Sequence, residues 1–315
     1  MYRYTGIKEI ITMSNKNSNR VYKDESYFKP EKCPLCESEE IIKWGFRYNC
    51  TTKKRRYKCN SCKKLFVVDD GFSKCKKKRE MITACLDLYM NGMSLRKVAT
   101  HVNQFSDKEV SHMSILRWIR RYVMTIKPFT NSLNLNLSGV YHADEIYIKC
   151  NKEQHYLFDL IDKETRFLVA THYAKEKGLD GAKGLFRKTR QRAEKPLCVY
   201  TDGLQAYVNV VSDTWYSNKN PRKKGIEHIR IIDRHDYRNN MIERIQGTIR
   251  ERVKVMRGFK NPKSAEQILE MFVIWYNFLR VHQGIGMTPA QKAGIELKLG
   301  KDKWLNLVYR SKIQA

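Results

Sequence analysis

The residues in this chain best suited to chemistry are three acids far apart in sequence and two pairs of cysteines. Asp144 lies within Val140-Tyr141-His142-Ala143-Asp144-Glu145-Ile146-Tyr147-Ile148, Asp202 within Leu197-Cys198-Val199-Tyr200-Thr201-Asp202-Gly203, and Glu243 just inside the run that opens at Asn239. Three carboxylates converging from two strands and a helix can hold two Mg²⁺ ions, which together stabilise the attacking and leaving oxygens of phosphoryl transfer. Mg²⁺, or Mn²⁺ in its place, suits so sparse a shell because Mg²⁺ keeps several of its waters. A lone acid of this kind is usually a surface residue, and Glu145 is read as one. The trio gains weight from its placement on successive core elements of a basic protein.

Cys33-Pro-Leu-Cys36 and Cys59-Asn-Ser-Cys62 are separated by 22 residues. Two residues between cysteines let one tight turn aim both sulfurs at one ion, and two such turns complete a tetrahedral zinc site. The gap exceeds the usual span of about 15–20 residues, and a hairpin fits in it, with Ile41, Ile42, Trp44 and Phe46 leading out and Arg56-Tyr57-Lys58 leading back. Leu65 to Val68 can add a third strand. Cys50 is the one plausible substitute ligand; Cys75, Cys85, Cys150 and Cys198 lack such partners and read as structural.

These residues need elements to position them. Alternation along Val140 to Ile148 puts His142, Asp144, Ile146 and Ile148 on one strand face and Glu145 on the other. Gln154 to Ile161 and Phe167 to Tyr173 read as the next strands, a helix follows across about 179–194, and Leu197 to Tyr200 is a short buried strand. Asp202 then stands at its carboxyl end, where α/β sheets place ligands. From Asn239 on, Ile242, Ile245, Ile249, Val253 and Met256 form a core stripe. Glu243, about 100° round from Ile242, shares an edge with Gly247, Arg250 and Lys254, a carboxylate followed by two cations suited to a metal beside a phosphate backbone. His142, His228, His235 and His282 read as structural or DNA-contacting rather than as general bases.

Upstream, helical spacing recurs three times: Met81 to Tyr89, Leu95 to Val102 behind a Ser94 cap, and a third helix opening near Ser111. In the third, Ile115, Ile119 and Tyr122 face inward while Arg117, Arg120 and Arg121 point elsewhere, which suggests a helix-turn-helix unit entering a DNA groove. The whole chain has 315 residues and a formal net charge of +28, with 42% hydrophobic residues. That composition excludes a disordered chain and favours a polyanionic partner. The run from Met271 to Leu279 is shorter than the roughly 20 residues a bilayer needs, and no charged-then-apolar signal opens the chain, so a soluble, cytoplasmic, nucleoid-associated protein with no membrane partner is expected. The expected division is a flexible leader at 1–30, the cysteine module at 31–72, the helical module at 73–127, a linker at 128–138, an α/β region at 139–295 and a helical tail at 296–315.

Ala143-Asp144-Glu145-Ile146-Tyr147-Ile148-Lys149, Tyr200-Thr201-Asp202-Gly203, Asn239 to Arg250, and Trp275 to His282 followed by Thr288-Pro289-Ala290 together resemble the DDE-type transposases of prokaryotic insertion sequences. The resemblance covers roughly Cys33 to Ile295. It implies an RNase H-like catalytic core, a mixed sheet flanked by helices, preceded by a zinc ribbon and a helix-turn-helix domain. It further implies that Asp144, Asp202 and Glu243 bind two Mg²⁺ or Mn²⁺ ions, that Cys33, Cys36, Cys59 and Cys62 hold structural Zn²⁺, and that Arg250 touches the element's end. The implied reaction frees a 3′-OH at that end by hydrolysis, and the hydroxyl then attacks a target phosphodiester. Double-stranded DNA, as terminal inverted repeats and as target, and a homodimer or larger synaptic assembly are the implied partners. A domesticated transposase acting as a DNA-binding regulator and an RNase H-like nuclease without joining activity are the competing expectations.

Overall fold

The computed structural model describes residues 30–48, 53–73, 75–215, 226–232 and 237–313. The leader (but for its last residue), Cys50 and His235 lie outside them. The first described unit is an antiparallel sheet of β1 (Ile41–Tyr48), β2 (Lys53–Cys59) and β3 (Leu65–Val67), the hairpin and third strand that the sequence suggests. Its own small core joins Cys33 and Cys59 to Tyr57 and Phe66, whose rings stack at 5.8 Å.

Three helices follow: α1 (Arg79–Met90), α2 (Leu95–Asn103) and α3 (His112–Ser132). Ser94 and Ser111 cap the last two, their side chains accepting the N–H groups of Lys97 and Ser114. The expected linker at 128–138 is corrected in its first half, because α3 runs through Pro128 to Ser132. A proline inside a helix costs about 3 kcal/mol. Tertiary packing outweighs it here: Phe129 and Thr130 are buried, Lys127 pairs with Glu270, and Arg192 donates to the carbonyls of Thr130, Asn131 and Leu133 at the helix end.

The α/β region begins with β4 (Val140–Cys150) and β5 (Glu153–Asp162), joined by Asn151-Lys152 with φ of 51° and 67°. Positive φ at both positions is the type I′ hairpin turn, whose twist suits the flanking strands. β6 (Leu168–Ala174), α4 (Leu179–Arg192), β7 (Cys198–Thr201), α5 (Ala206–Trp215) and β8 (Glu227–Arg230) complete a five-stranded sheet in the order β6-β5-β4-β7-β8. β4, β5 and β6 form an antiparallel meander, and β7 and β8 run parallel to β4. This order and these directions are those of the RNase H-like fold.

The remaining elements are α6 (Asn240–Met256), α7 (Pro262–Ile274), a π-helical turn (Trp275–Leu279), α8 (Pro289–Lys292) and α9 (Lys303–Ile313). The π turn explains the Trp275 to His282 motif. It carries Asn277, 1% exposed, to the edge strand β6, where its amide accepts the Leu168 N–H and donates to the Leu168 carbonyl, both at 2.9 Å. The helix at the chain's end is no loose tail: Trp304 donates to Asp87, Thr83 donates to Asp302, and Leu307 and Val308 are fully buried. One hydrophobic core runs from the helical module through the α/β region. No helix among the described residues is long and apolar enough to cross a membrane.

α4 lies unusually close to the sheet. A Cβ added at Gly181 would come within 2.1 Å of the Phe158 ring, and one at Gly184 within 2.2 Å of the His172 ring. Gly181→Ala is therefore expected to cost about 1–3 kcal/mol through overpacking, read as a lowered Tm. Gly247→Ala on α6, where an added Cβ meets nothing within 4 Å, is expected to raise Tm, because alanine stabilises a helix by up to about 1 kcal/mol over glycine.

Candidate active site

The site grows out of the β4–β7 register. The two strands pair in parallel from Val140↔Cys198 to Ala143↔Thr201, and there β7 ends. The next residue on each strand is an aspartate, so Asp144 and Asp202 are brought side by side. Asp202 itself ends β7 by accepting the Leu204 N–H at 2.9 Å, an Asx turn that reverses the chain. β4 continues to Cys150 with β5 on one side and, at its far end, a bridge from Phe259 on the other.

Ligand oxygens of Asp144, Glu145 and Asp202 all lie within 4.8 Å of one another. Glu145 thus corrects the reading of it as a surface acid. Its side chain is 4% exposed, pairs with Lys177 and accepts a hydrogen bond from Tyr207 at 3.0 Å. The alternation rule placed it on the opposite face from Asp144. Just beyond Ala143, however, β7 no longer pairs with β4, and carboxylates from successive residues can both reach round that free stretch of edge.

Desolvation dominates the electrostatics. Burial pushes the Asp144 carboxyl up to about 7; the Glu145 N–H at 2.8 Å pulls it down, and the charges of Glu145 and Asp202 push it further up. Opposite it across β4–β5 stands Asp159, 0% exposed, with neither carboxylate oxygen hydrogen-bonded. Burial, then the charge on Asp144, hold Asp159 well above the usual carboxylate range. Gln246 of α6, 2% exposed, lowers both acids somewhat. Behind them, His142 stacks on Tyr200 at 4.6 Å and 9°, and burial pushes its pKa down to about 4, as suits a neutral structural histidine.

Glu243 is placed differently from Asp144 and Asp202. It is exposed in the first turn of α6, outside the 4.8 Å group, and no other described residue bonds or pairs with it. α6 buries Ile242, Ile245, Gln246 and Ile249 and is anchored by Arg252, whose guanidinium lies 3.6 Å from the Tyr89 ring centroid and donates to the Met93 carbonyl. Arg250 is exposed and reaches back to Gln246 at 3.5 Å.

Of the α3 cations, only Arg117 faces solvent without a tertiary partner, donating to Met113 one turn back. Arg120 donates to Ser264, and Arg121 bonds the carbonyls of Gly71 and Ser73. Those two tie α3 to its surroundings, and the sequence pattern alone does not reveal it.

The four clustered cysteines fit a zinc site. Their sulfurs lie within 4.8 Å of one another, with Cys33–Cys62 at 3.8 Å and Cys36–Cys59 at 3.5 Å. Zn–S bonds of about 2.3 Å in a tetrahedron require sulfurs about 3.8 Å apart. The Cys62 N–H, with other neighbours, holds Cys59 down to about 6, close to the thiolate a metal needs.

Residues 138–282, a little under half of the chain, match the family model described as DDE domain (DDE_Tnp_IS240). That stretch of the chain is similar to a DDE domain. A curated relative, the insertion element ISM1 uncharacterized 48.3 kDa protein of Methanobrevibacter smithii, is 24% identical over 216 residues, 63% of this chain and 52% of the relative. The chain thus spans about half the length of that relative. Among solved structures, the HTLV-2 integrase catalytic core domain in complex with magnesium aligns at TM-score 0.37 and 17% identity, over 51% of this chain and 98% of that one. The simian T-cell lymphotropic virus intasome with PP2A regulatory subunit B56 gamma aligns at 0.40 and 12%, over 68% and 73%. At such scores the strand order, not this likeness, identifies the fold. The clustered acids fit a divalent cation by donor chemistry: hard oxygens close together, one carboxyl already destabilised as an anion, and unsatisfied buried oxygens on Asp159 behind it.

The Asp144 shift has a sign that can be tested. Its folded pKa is raised to about 7 from 3.8, so the folded state keeps a proton that the unfolded state releases. Stability is lost as pH rises from about 4 to about 7 and stays lost above. Three units correspond to about 4 kcal/mol. In metal-free protein Asp144→Asn is expected to raise Tm at pH 8, to leave it nearly unchanged at pH 4, and to reduce the Tm gain that Mn²⁺ gives the wild type.

Proposed function

We propose that this chain is an insertion-sequence transposase that binds the ends of its element in double-stranded DNA and performs divalent-metal-dependent cleavage and strand transfer. The observation that carries the reading is the in-register end of the β4–β7 pairing, which sets Asp144 beside Asp202 where β7 stops.

Asp144 and Asp202 would hold Mg²⁺ or Mn²⁺ from the sheet. For the third acid, Glu145 is nearer but is already engaged by Lys177 and Tyr207. Glu243 has no partner among the described residues and stands on the helix packed against β4. Glu243 is therefore assigned as the third ligand, and Lys177–Glu145 as a pair that supports Asp144 from behind. Bound divalent ions would supply Lewis-acid stabilisation of charge on the scissile phosphate and its attacking and departing oxygens. The chain's own share is to keep Asp144 and Asp202 fixed and ionised, to bring Glu243 up from α6, and to receive neighbouring phosphates on Arg250 and Lys254.

End recognition falls to the zinc ribbon and helix-turn-helix module, with exposed Arg117 and the cationic hairpin as phosphate contacts. Pairing of two ends calls for a homodimer or larger assembly. Glu243→Gln and Asp144→Asn are each expected to abolish Mn²⁺-dependent nicking and joining of an end-containing duplex while leaving its binding intact. Glu145→Gln is expected to retain measurable cutting. Equal loss in Glu145→Gln with full activity in Glu243→Gln would exchange the two roles, and binding without any cutting by the wild type would make the protein a regulator. One Zn²⁺ per chain is expected by elemental analysis, and Cys59→Ser should abolish it and weaken duplex binding without preventing the DDE domain from folding.

A further inference from the structure

Beyond the acids, a groove of about 320 Å³ opens between β4 and the second half of α6. Its floor is apolar, with Ile146 and Val253, and the Tyr147 ring stands in it 49% exposed. Its rim is cationic: Lys149, Arg250, Lys254 and Arg257. No carboxylate among the described residues pairs with any of the four cations.

The groove is preformed. Arg257 ends α6 in the left-handed conformation with φ of 57°, and Gly258 continues the turn at φ 94°. A Cβ at Gly258 would lie 2.9 Å from the Lys149 carbonyl oxygen. Phe259 then bridges to the end of β4, its N–H donating to the Lys149 carbonyl and its own carbonyl accepting from Asn151, both at 2.8 Å. The far wall is thus pinned to the strand by backbone bonds.

Two features narrow the occupant. An apolar floor with a half-exposed tyrosine beneath four unpaired cations matches one ligand chemistry, an aromatic base carrying phosphates. A paired duplex would offer the cations its backbone but keep its bases stacked away from Tyr147. Distance gives the register. Glu145, Tyr147 and Lys149 share one strand face, and Lys149 lies about 14 Å along β4 from Glu145 at about 3.4 Å per residue. On α6, Arg250 and Lys254 lie about 10 Å and 16 Å beyond Glu243 at 1.5 Å per residue. The cations therefore stand about 10–16 Å from the acids along the two elements.

We propose that this groove holds an unpaired nucleotide of the DNA strand, about 10–16 Å from the acids, with its base against Tyr147 and its phosphates on Lys149, Arg250, Lys254 and Arg257. The proposal rests on the reading of the neighbouring acids as a site acting on DNA, and names the state of that DNA: locally single-stranded.

Binding measured without divalent ions separates the two ideas. The probes are fluorescein-labelled oligo(dT) of twenty nucleotides, a mixed-sequence duplex of equal length, and that duplex with three unpaired thymines near one end, each titrated with the full zinc-loaded chain by anisotropy. Tyr147→Ala is expected to weaken oligo(dT) and the partly unpaired duplex about tenfold and to change the paired duplex less than twofold. Tyr147→Phe should bind as the wild type does, because stacking needs only the ring. Lys149→Gln with Arg257→Gln should lower the salt dependence for oligo(dT) by about 1.4 in log–log slope, two phosphate contacts' worth. Unchanged oligo(dT) binding in Tyr147→Ala, or equal losses on paired and unpaired probes at unchanged Tm, would overturn the proposal. A wild type that shows the tyrosine-dependent preference yet never cuts would keep the groove and sink the transposase reading; cutting with no such preference would do the reverse.

Discussion

The structure depends on where one pair of parallel strands stops. β4 and β7 stay in register to Ala143 and Thr201, and the next step on each is an aspartate. A slip of one residue would turn Asp144 to the other face of the sheet, because side chains alternate with a period of two. The fold accordingly spends buried polar contacts on register. Asp162, fully buried at the far end of the β4–β5 ladder, accepts from Ser138 N–H and Oγ and from Thr165 N–H and Oγ1. Asn277 fixes the outer strand of the same meander by its backbone.

Holding two carboxyls side by side is unfavourable, and this protein worsens the situation by removing water. Its overall charge of +28 would draw carboxyl pKa values down, yet Asp144 and Asp159 move up. Range decides the contest. Surface charges are screened beyond about 8 Å at physiological ionic strength, whereas desolvation acts on the buried group itself. Of the cations near these acids, Lys177 is committed to Glu145, and the pull of Arg250 on Asp159 is outweighed by burial. A site of this kind is poised for multivalent cations: the protein supplies oxygen ligands and withholds the monovalent counter-charge that would satisfy them.

Much of this was legible in the sequence. The Asp202-Gly203 turn, the core stripe from Ile242 to Ile249 and the doubled C-x-x-C each depend on local spacing, and local spacing survives folding. What escaped depends on pairing across elements. Glu145 is turned away from Asp144 by strand alternation, and only the end of β7 beside it leaves an edge that both carboxylates can reach. Asp159 could have been found, since a two-residue turn at Asn151-Lys152 already sets it opposite Asp144, but an acid in an otherwise apolar strand gives no local sign of its partner. Pro128 reads as a helix stop until the Arg192 guanidinium that caps the helix beyond it is known. Arg120 and Arg121 look like Arg117 in any window, and only their tertiary hydrogen bonds set them apart from it.

α6 shows why fold and site cannot be separated. Its inner side is held by aliphatic burial, by Gln246 against the two aspartates, and by Arg252 stacked on Tyr89 of α1. Its outer side carries Glu243, Arg250 and Lys254. The helical module therefore grips the same helix that carries an acid and two cations on its outer side. Because the Arg252–Tyr89 contact lies about two and a half turns from Glu243, at 3.6 residues per turn, a shift of the N-terminal module on binding a DNA end would be carried along a rigid rod to the acid. The buried guanidinium has two nitrogens, Nε and one Nη, without a hydrogen-bond partner, so its hold on α6 rests on the ring face and one carbonyl.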